Sequence, residues 1–288
     1  MTMLVLGAGG QIGRALVERA GTNAVGVDRA TCDIRDSAAV ERAIDAARPA
    51  IIVNCAGYSA VDRAEGEREE AFSINADGAR IVARCAFARR LPVIHLSSDY
   101  VYAGTRTGPH REDDAIAPLN VYGASKAAGD AAVTATNPHH LILRVSWVFG
   151  VHGANFVKTM LKTGREQKEL RVVDDRKGGP TEARDIADAI LAMAEICLRP
   201  GFRDWGTYHF AGSPDTSWCG FARALFERAA ERAPRIVPIA AAERVEPAPR
   251  PLNSTLDCTK IARIFGIARP DWRVSLSRVV AHLEGARA

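Results

Sequence analysis

Short apolar runs recur through the first half of the chain, each followed by a stretch with helical spacing, and this alternation constrains the fold more than any single residue does. Met3–Leu6, Asn23–Val27, Ile51–Asn54, Pro92–Leu96 and Leu141–Val145 read as strands. Gln11–Ala20, Ser37–Ala47, Glu69–Arg90 and Val121–Thr136 read as helices. Val40, Ile44 and Ala47 share one face of the second helix, and Phe72, Ile74, Ala79, Val82 and Ala86 one face of the third. Strand–helix repeats at this spacing close as right-handed βαβ units around a parallel sheet. The strands are apolar throughout rather than alternating, as expected where helices cover both faces. The expected class is therefore α/β, a doubly wound parallel sheet. The second half is less regular, with helices expected near Asn155–Thr163, Arg184–Leu198 and Ser217–Arg232 and a Pro-bearing loop over Pro234–Pro251.

Composition narrows the function classes. With 288 residues, 47% of them hydrophobic and 25% charged, the chain can bury a full core. The net charge of +4 comes from 38 basic and 34 acidic residues that interleave. A nucleic-acid partner calls for a dense basic stripe, so none is expected. No run reaches the roughly 18 apolar residues of a spanning helix, so no membrane partner is expected either. The strand pattern begins at Met3 with no targeting segment before it, which points to the cytoplasm. Six scattered cysteines give no CxxC and no Cys/His zinc spacing, so buried free thiols and no bound metal are expected.

The first strand ends in Gly7–Ala8–Gly9–Gly10–Gln11–Ile12–Gly13 and passes into a helix. Glycines there allow a tight turn and let backbone N–H groups approach a pyrophosphate. Asp28 closes the second strand, 21 residues after Gly7, where a carboxylate receives the hydroxyls of an adenosine ribose. Asp28 favours NADH, while Arg29 beside it suits the 2′-phosphate of NADPH, so both cofactors stay open. Residues 1–146 then form a dinucleotide-binding Rossmann domain, with a return segment over about 170–212. Residues 147–169 and 213–288 form a smaller substrate lobe.

Tyr122 and Lys126 stand four apart on the fourth helix and so share a face. An ammonium beside a phenol favours the phenolate and is expected to lower the Tyr122 pKa toward the working range. Such a pair moves a proton at a carbonyl or an alcohol. Ser98 ends a strand 24 residues earlier, at the carboxyl edge where doubly wound sheets bind ligands.

Six blocks in order carry a resemblance. They are the Gly7/Gly10/Gln11/Gly13 turn, Val53–Asp62, Ser97–Tyr102, Pro118–Gly123, Ser146–Phe149 and Arg250–Ser254. From about residue 3 to residue 284 the chain resembles the dTDP-4-dehydrorhamnose reductase family of the extended short-chain dehydrogenase/reductases. The resemblance implies reduction of the C4 ketone of dTDP-4-dehydro-6-deoxy-L-mannose by NADPH or NADH. It implies that Gly7, Gly10, Gln11 and Ile12 hold the pyrophosphate and that Asp28, Asp33 and Ile34 surround the adenosine. Ala56, Gly57 and Ser59 would line the cofactor. Tyr122 would be the general acid, Lys126 would orient the nicotinamide ribose, and Ser98 would polarise the ketone. Asp99 and Tyr100 would lie by the sugar, Trp147 would close over it, and Asn155 and Arg250 would contact the substrate or its phosphates. Trp205, Trp218 and Trp272 read as packing.

Two departures from the family pattern matter. Some relatives bind magnesium at a dimer contact through acidic residues, one of them in the first helix just past the glycines. Here that helix reads Gly13–Arg14–Ala15, and a monomer or weak homodimer without such a metal is expected. Ser98 stands where threonine is common, which keeps the hydroxyl. The competing readings are a sugar-nucleotide 4,6-dehydratase or 4-epimerase and a non-catalytic nucleotide-binding subunit. Tyr100 occupies the position after Asp99 where dehydratases carry glutamate. Tyr122 and Lys126 are both present, whereas regulatory relatives often lose one of them.

Overall fold

The computed structural model describes residues 2–229 and 233–285. Residue 1, residues 230–232 at the end of the helix expected over Ser217–Arg232, and residues 286–288 lie outside the described residues. Six parallel strands form the central sheet: β1 (Met3–Leu6), β2 (Ala24–Val27), β3 (Ile51–Asn54), β4 (Val93–Ser98), β5 (His140–Val145) and β6 (Gly206–Phe210). Their order is β6-β5-β4-β3-β1-β2. Strand alternation divides β1 between two cores. Met3 and Val5 pack against helices Gln11–Ala20 and Ala183–Cys197, and Leu4 and Leu6 pack against Ser37–Ala47 and Ala79–Ala88. This is the doubly wound α/β arrangement, a Rossmann-type sheet.

A second core joins Phe149, Val157, Leu170, Phe221, Leu225, Trp272 and Leu276. Two departures from the expected division stand out. The return toward the sheet begins at Ala183, not near residue 170, because Glu169–Val173 pairs with Arg235–Ile239 and buries Leu170 and Val172 in this second core. Conversely, Leu256, Ile261 and Phe265 of the C-terminal region pack into the core of the sheet.

The long helix expected over Glu69–Arg90 is interrupted. Arg68–Phe72 and Ala79–Ala88 are α-helical, but Ser73–Gly78 between them is wound as a π-helix. The wider turn leaves Phe72 and Ile74 half-buried and carries Asn75 inside, where it is 1% exposed. Its Oδ1 accepts from the Tyr58 backbone N–H at 2.8 Å, and its Nδ2 donates to Ser125 Oγ at 2.8 Å. Asn75 therefore ties the loop after β3 to helix Val121–Thr136, which carries Tyr122 and Lys126. The helical periodicity hid this residue, because a π-turn leaves no mark in a 3.6-residue pattern.

Candidate active site

Neighbouring strands β1 and β3 lead to helices on opposite faces, so their carboxyl ends splay apart and open a cleft. At Gly7 the backbone is left-handed (φ +78°), and a Cβ there would meet the Ala56 nitrogen at 2.5 Å. Only glycine permits the turn at that approach. Helix Gln11–Ala20 begins behind Gly10 with no side-chain cap and no acidic residue in its first turn. Its first N–H groups and the positive end of its dipole remain available to an anion. A cleft of about 400 Å³ lies here, lined by Gly7, Gly10, Asp28, Asp33, Ile34 and Ala56.

Asp28 is held by its own turn: Oδ1 accepts from the N–H groups of Ala30 and Thr31, both at 3.1 Å. Hydrogen bonds from Thr31 above all keep its carboxyl below the usual range. Arg35 grips Asp33 at 2.6 Å, and this bond draws the Asp33 pKa down to about 2. Arg29 reaches Glu70 at 3.4 Å from the rim of the same cleft. The residues present fit a dinucleotide: an uncapped helix start for the pyrophosphate and a rim with both a carboxylate and a guanidinium for the ribose.

This cleft shares Gly10, Cys55, Ala56, Gly57 and Tyr58 with a second one of about 370 Å³. The second cleft brings together Ser98, Asp99, Tyr122, Lys126 and Trp147, and Gln11, Ile12, Ser59 and Tyr100 also line it. Of the six free cysteines, Cys55 alone is not fully buried.

Tyr122 lies in the first turn of helix Val121–Thr136, whose start is fixed by Asn120 Oδ1 accepting from the Gly123 N–H at 2.7 Å. Burial pushes the Tyr122 phenol up to about 12, and the Ser98 hydroxyl only partly opposes this. The expected lowering by Lys126 is therefore overturned: burial dominates, and the phenol holds its proton. Burial likewise lowers the Lys126 pKa, to about 8. Its Nζ donates to the Leu96 carbonyl at 2.6 Å. Ser98 Oγ accepts from the Tyr100 N–H at 3.2 Å and donates to Asp99 Oδ1 at 3.1 Å. Asp99 is 3% exposed, and burial raises its pKa to about 7. The Tyr100 and Tyr122 rings meet in a T-shaped arrangement, 5.7 Å between centroids.

Trp147 lies just beyond β5 in a left-handed conformation (φ +47°) that a bulky side chain seldom adopts. The indole lies over Gly178, where a Cβ would come within 2.5 Å of Trp147 Cε2, and stacks on Trp218 at 3.9 Å between centroids. Trp218 was expected to be packing only. It lines the reaction cleft and also an adjoining pocket of about 190 Å³ that holds Arg176, Arg244, Glu246, Arg250 and Phe156. In the sequence nothing marks Trp218 or Arg176, because both reach the site through long-range packing.

Asn155 is engaged within the protein. It caps helix Phe156–Glu166 through the Lys158 N–H at 3.2 Å and donates to Gln11 Oε1 at 3.0 Å. Its side chain is thereby spent on tying the loop before this helix to the glycine turn. Arg250 lines the adjoining pocket, not the cleft itself, and is held by Asp62 at 2.8 Å and Glu246 at 3.1 Å. Among the described residues no group of three or more His, Cys, Asp or Glu is arranged to hold a metal, and no helix is long and apolar enough to cross a membrane.

The same layout recurs in known proteins. The model of the RmlD substrate binding domain matches residues 1–284. The dTDP-4-dehydrorhamnose reductase of Sinorhizobium fredii is 42% identical, with 97% of each chain covered. That of Aggregatibacter actinomycetemcomitans is 40% identical over 98% of this chain and 99% of its own. The solved structure of the Bacillus anthracis dTDP-4-dehydrorhamnose reductase, in complex with NADP, superposes with a TM-score of 0.90 at 34% identity, covering 98% of this chain and 100% of that one. Full-length matches of this depth, on a chain whose glycine turn opens into a Ser98–Tyr122–Lys126 cleft, place it in one group: it belongs to the dTDP-4-dehydrorhamnose reductase family.

Proposed function

We propose that this protein reduces the C4 ketone of dTDP-4-dehydro-6-deoxy-L-mannose, giving dTDP-L-rhamnose, with NADPH or NADH as the reductant. The observation that carries this reading is the convergence of the Ser98 hydroxyl, the Tyr122 phenol and the Lys126 ammonium in a cleft continuous with the glycine turn. A reduced nicotinamide dinucleotide, when bound, supplies a hydride to C4 of the sugar. Tyr122, which burial keeps protonated, gives its proton to the C4 oxygen as charge develops there. Ser98 turns its one hydroxyl proton from Asp99 to the same oxygen and donates a hydrogen bond there. Lys126 sits one helical turn beyond Tyr122 and directs its cation toward the nicotinamide ribose.

The N–H groups around Gly10, Gln11 and Ile12 and the turn at Gly7 receive the pyrophosphate. Asp28, Asp33 and Ile34 surround the adenosine, and Ala56, Gly57 and Ser59 line the rest of the cofactor. Asp99, Tyr100 and Trp147 enclose the deoxysugar. Arg250, whose fork suits a diphosphate, faces the nucleotide end. Asn155 serves the substrate only through its tether to Gln11. We place the enzyme in the cytoplasm, as a monomer or weak homodimer.

The test supplies the dTDP-4-keto-6-deoxy sugar, prepared enzymatically, and follows NAD(P)H absorbance with identification of the product. Stoichiometric loss of NAD(P)H with formation of dTDP-rhamnose supports the reading. Purified protein that carries a full complement of NAD and interconverts sugar nucleotides without consuming reductant would replace it with an epimerase.

A further inference from the structure

Behind the reactive face lies a buried polar cluster that the reaction as described does not use. Asp130 stands one turn beyond Lys126 on the same helix, and the two are 4% and 5% exposed. Arg144 of β5 donates from Nε to Asp130 Oδ2 at 3.0 Å. The other oxygen, Oδ1, has no hydrogen-bond partner within 3.5 Å among the described residues, and neither do His95 Nε2 and Ser97 Oγ. Burial raises the Asp130 pKa, and Arg144 first and the nearby Ser97 hydroxyl next oppose it. His95 and Ser97 are alternate residues of β4 and so face the same side of the sheet.

The chemistry of this spot can be read outward from the cofactor cleft. The Ala56 N–H donates to Asn54 Oδ1 at 3.1 Å, which fixes the Asn54 amide so that Nδ2 faces His95 Nδ1 at 3.2 Å. Nδ1 then accepts, so the imidazole proton sits on Nε2. Burial holds His95 well below its usual pKa, so it is a neutral donor. That donor lies 4.0 Å from Asp130 Oδ1, too far for a direct bond and a span that one water closes. Two polar partners and an adjacent hydroxyl suffice to hold such a water. The charged and titratable groups facing Asp130 are Arg144 and His140 from β5, His95 from β4, and Lys126 and Tyr122 from its own helix. Lys126 itself faces Asp130, His95 and Cys55. Asp130 is the one carboxylate in this set.

We propose that Asp130 is a positioning residue that keeps Lys126 charged, with a buried water bridging Asp130 Oδ1, His95 Nε2 and Ser97 Oγ to complete its shell. The Lys126 ammonium has three donors and spends one on Leu96, so it needs a negative field nearby to stay protonated away from bulk water. The inference rests on Lys126 serving the reaction proposed above.

The test reads Lys126 directly, in ligand-free protein, so it does not depend on the substrate being correctly identified. Nζ and Cε signals of isotopically labelled lysine are titrated by NMR, with Lys126 assigned from a Lys126→Met variant. Asp130→Asn is expected to lower the Lys126 midpoint by about one pH unit, a tenfold loss in proton affinity. The alkaline limb of the kcat/KM profile should move by the same amount, and Asp130→Glu should restore both. Arg144 would lose its charged partner in Asp130→Asn, and that variant risks not folding. Ser97→Ala therefore serves as the second variant, with a smaller fall in the same midpoint. An unchanged Lys126 midpoint in folded Asp130→Asn, or in Ser97→Ala where Asp130→Asn does not fold, overturns the proposal and leaves Asp130 as a structural partner of Arg144. If the titration shifts as expected but the ketosugar is not turned over, the functional reading fails and the role of Asp130 stands.

Discussion

The floor and the wall of the reaction cleft are built by different means. On the floor most lining residues lie within a few positions of a strand end, Gly7 and Gly10 after β1, Asp28 after β2, Ala56 and Gly57 after β3, Ser98 and Asp99 at the end of β4, and Tyr122 and Lys126 come from the helix that follows β4. The parallel ladder fixes those positions in register. The wall is assembled from distant pieces. Arg250 is held by Asp62, 188 residues away, and Trp147 rests on Trp218, which opens another helix. On the proposed function, chemistry that tolerates little displacement sits on the hydrogen-bonded scaffold and recognition on ion pairs and ring contacts. The floor should therefore govern kcat and the wall KM.

The largest effect is expected on the floor. Tyr122→Phe removes the proton donor and should lower kcat roughly 10²–10⁴-fold with KM little changed. Steady-state kinetics with the ketosugar nucleotide checks this. A loss carried mainly by KM would move Tyr122 from the chemistry to binding and erase the division between the two sides.

Two cations sharpen the same contrast. Arg250 on the wall is compensated by Asp62 and Glu246, with its pKa raised above its ordinary value despite burial. Lys126 on the floor is pushed down to about 8 from 10.5. In unfolded chains Lys126 binds its proton up to the higher pH, so between about pH 8 and 10.5 the unfolded state carries more protons and folding gains stability as pH rises. The shift of about 2.5 units corresponds to about 3 kcal/mol. Lys126→Met should therefore be more stable than the parent below pH 8 and lose about that advantage by pH 10.5. Arg250→Met should lose stability with no such slope. Denaturant melts across this range decide it, and parallel curves for the parent and Lys126→Met would mean that Lys126 is not desolvated.

How much of this was legible in the sequence follows the same line. Helices Gln11–Ala20, Ser37–Ala47 and Val121–Thr136 and strands Met3–Leu6 and Ile51–Asn54 have the bounds that apolar spacing gives them. There, local pattern and tertiary demand agree. Tyr122, Lys126 and Ser98 line one cleft, a juxtaposition that helix and strand geometry make legible in the sequence. Asn75 was missed because the π-turn that carries it inward breaks the period used to find it. Trp218 and Arg176 were missed because a side chain's part in a distant wall has no local signature, and an indole at a helix start reads as packing. Asn155 shows the converse: its capping bond to Lys158 and its tether to Gln11 are ordinary uses of an amide that the sequence did not show. The Tyr122 pKa ran opposite to expectation because the helical spacing showed the cation but not the burial.

On the wall, Trp218→Ala removes the ring under Trp147. Loss of one stacked aromatic contact is worth about 1 kcal/mol beyond burial, so KM for the sugar nucleotide should rise about fivefold while kcat falls less than threefold. An equal fall in kcat and kcat/KM would place Trp218 in the transition state and make the wall part of the chemistry.

The smallest effect tests the rim of the floor, where Asp28 and Arg29 pull toward different cofactors. Arg29 is exposed and already shared with Glu70 and Asp33, so its attraction for a 2′-phosphate is screened and worth about 1 kcal/mol at most. Arg29→Ala should lower the preference for NADPH over NADH about threefold to fivefold, with kcat unchanged. Asp28→Asn should move the ratio the other way, because it removes a charge that repels the phosphate and an acceptor that NADH uses for its free hydroxyls. Dissociation constants measured by quenching of protein fluorescence, at two salt concentrations, separate the contributions: added salt should shrink the effect of Arg29→Ala toward nothing. A preference that neither variant moves would mean that the 2′ position is read elsewhere, with Arg35 the next guanidinium beside Asp33.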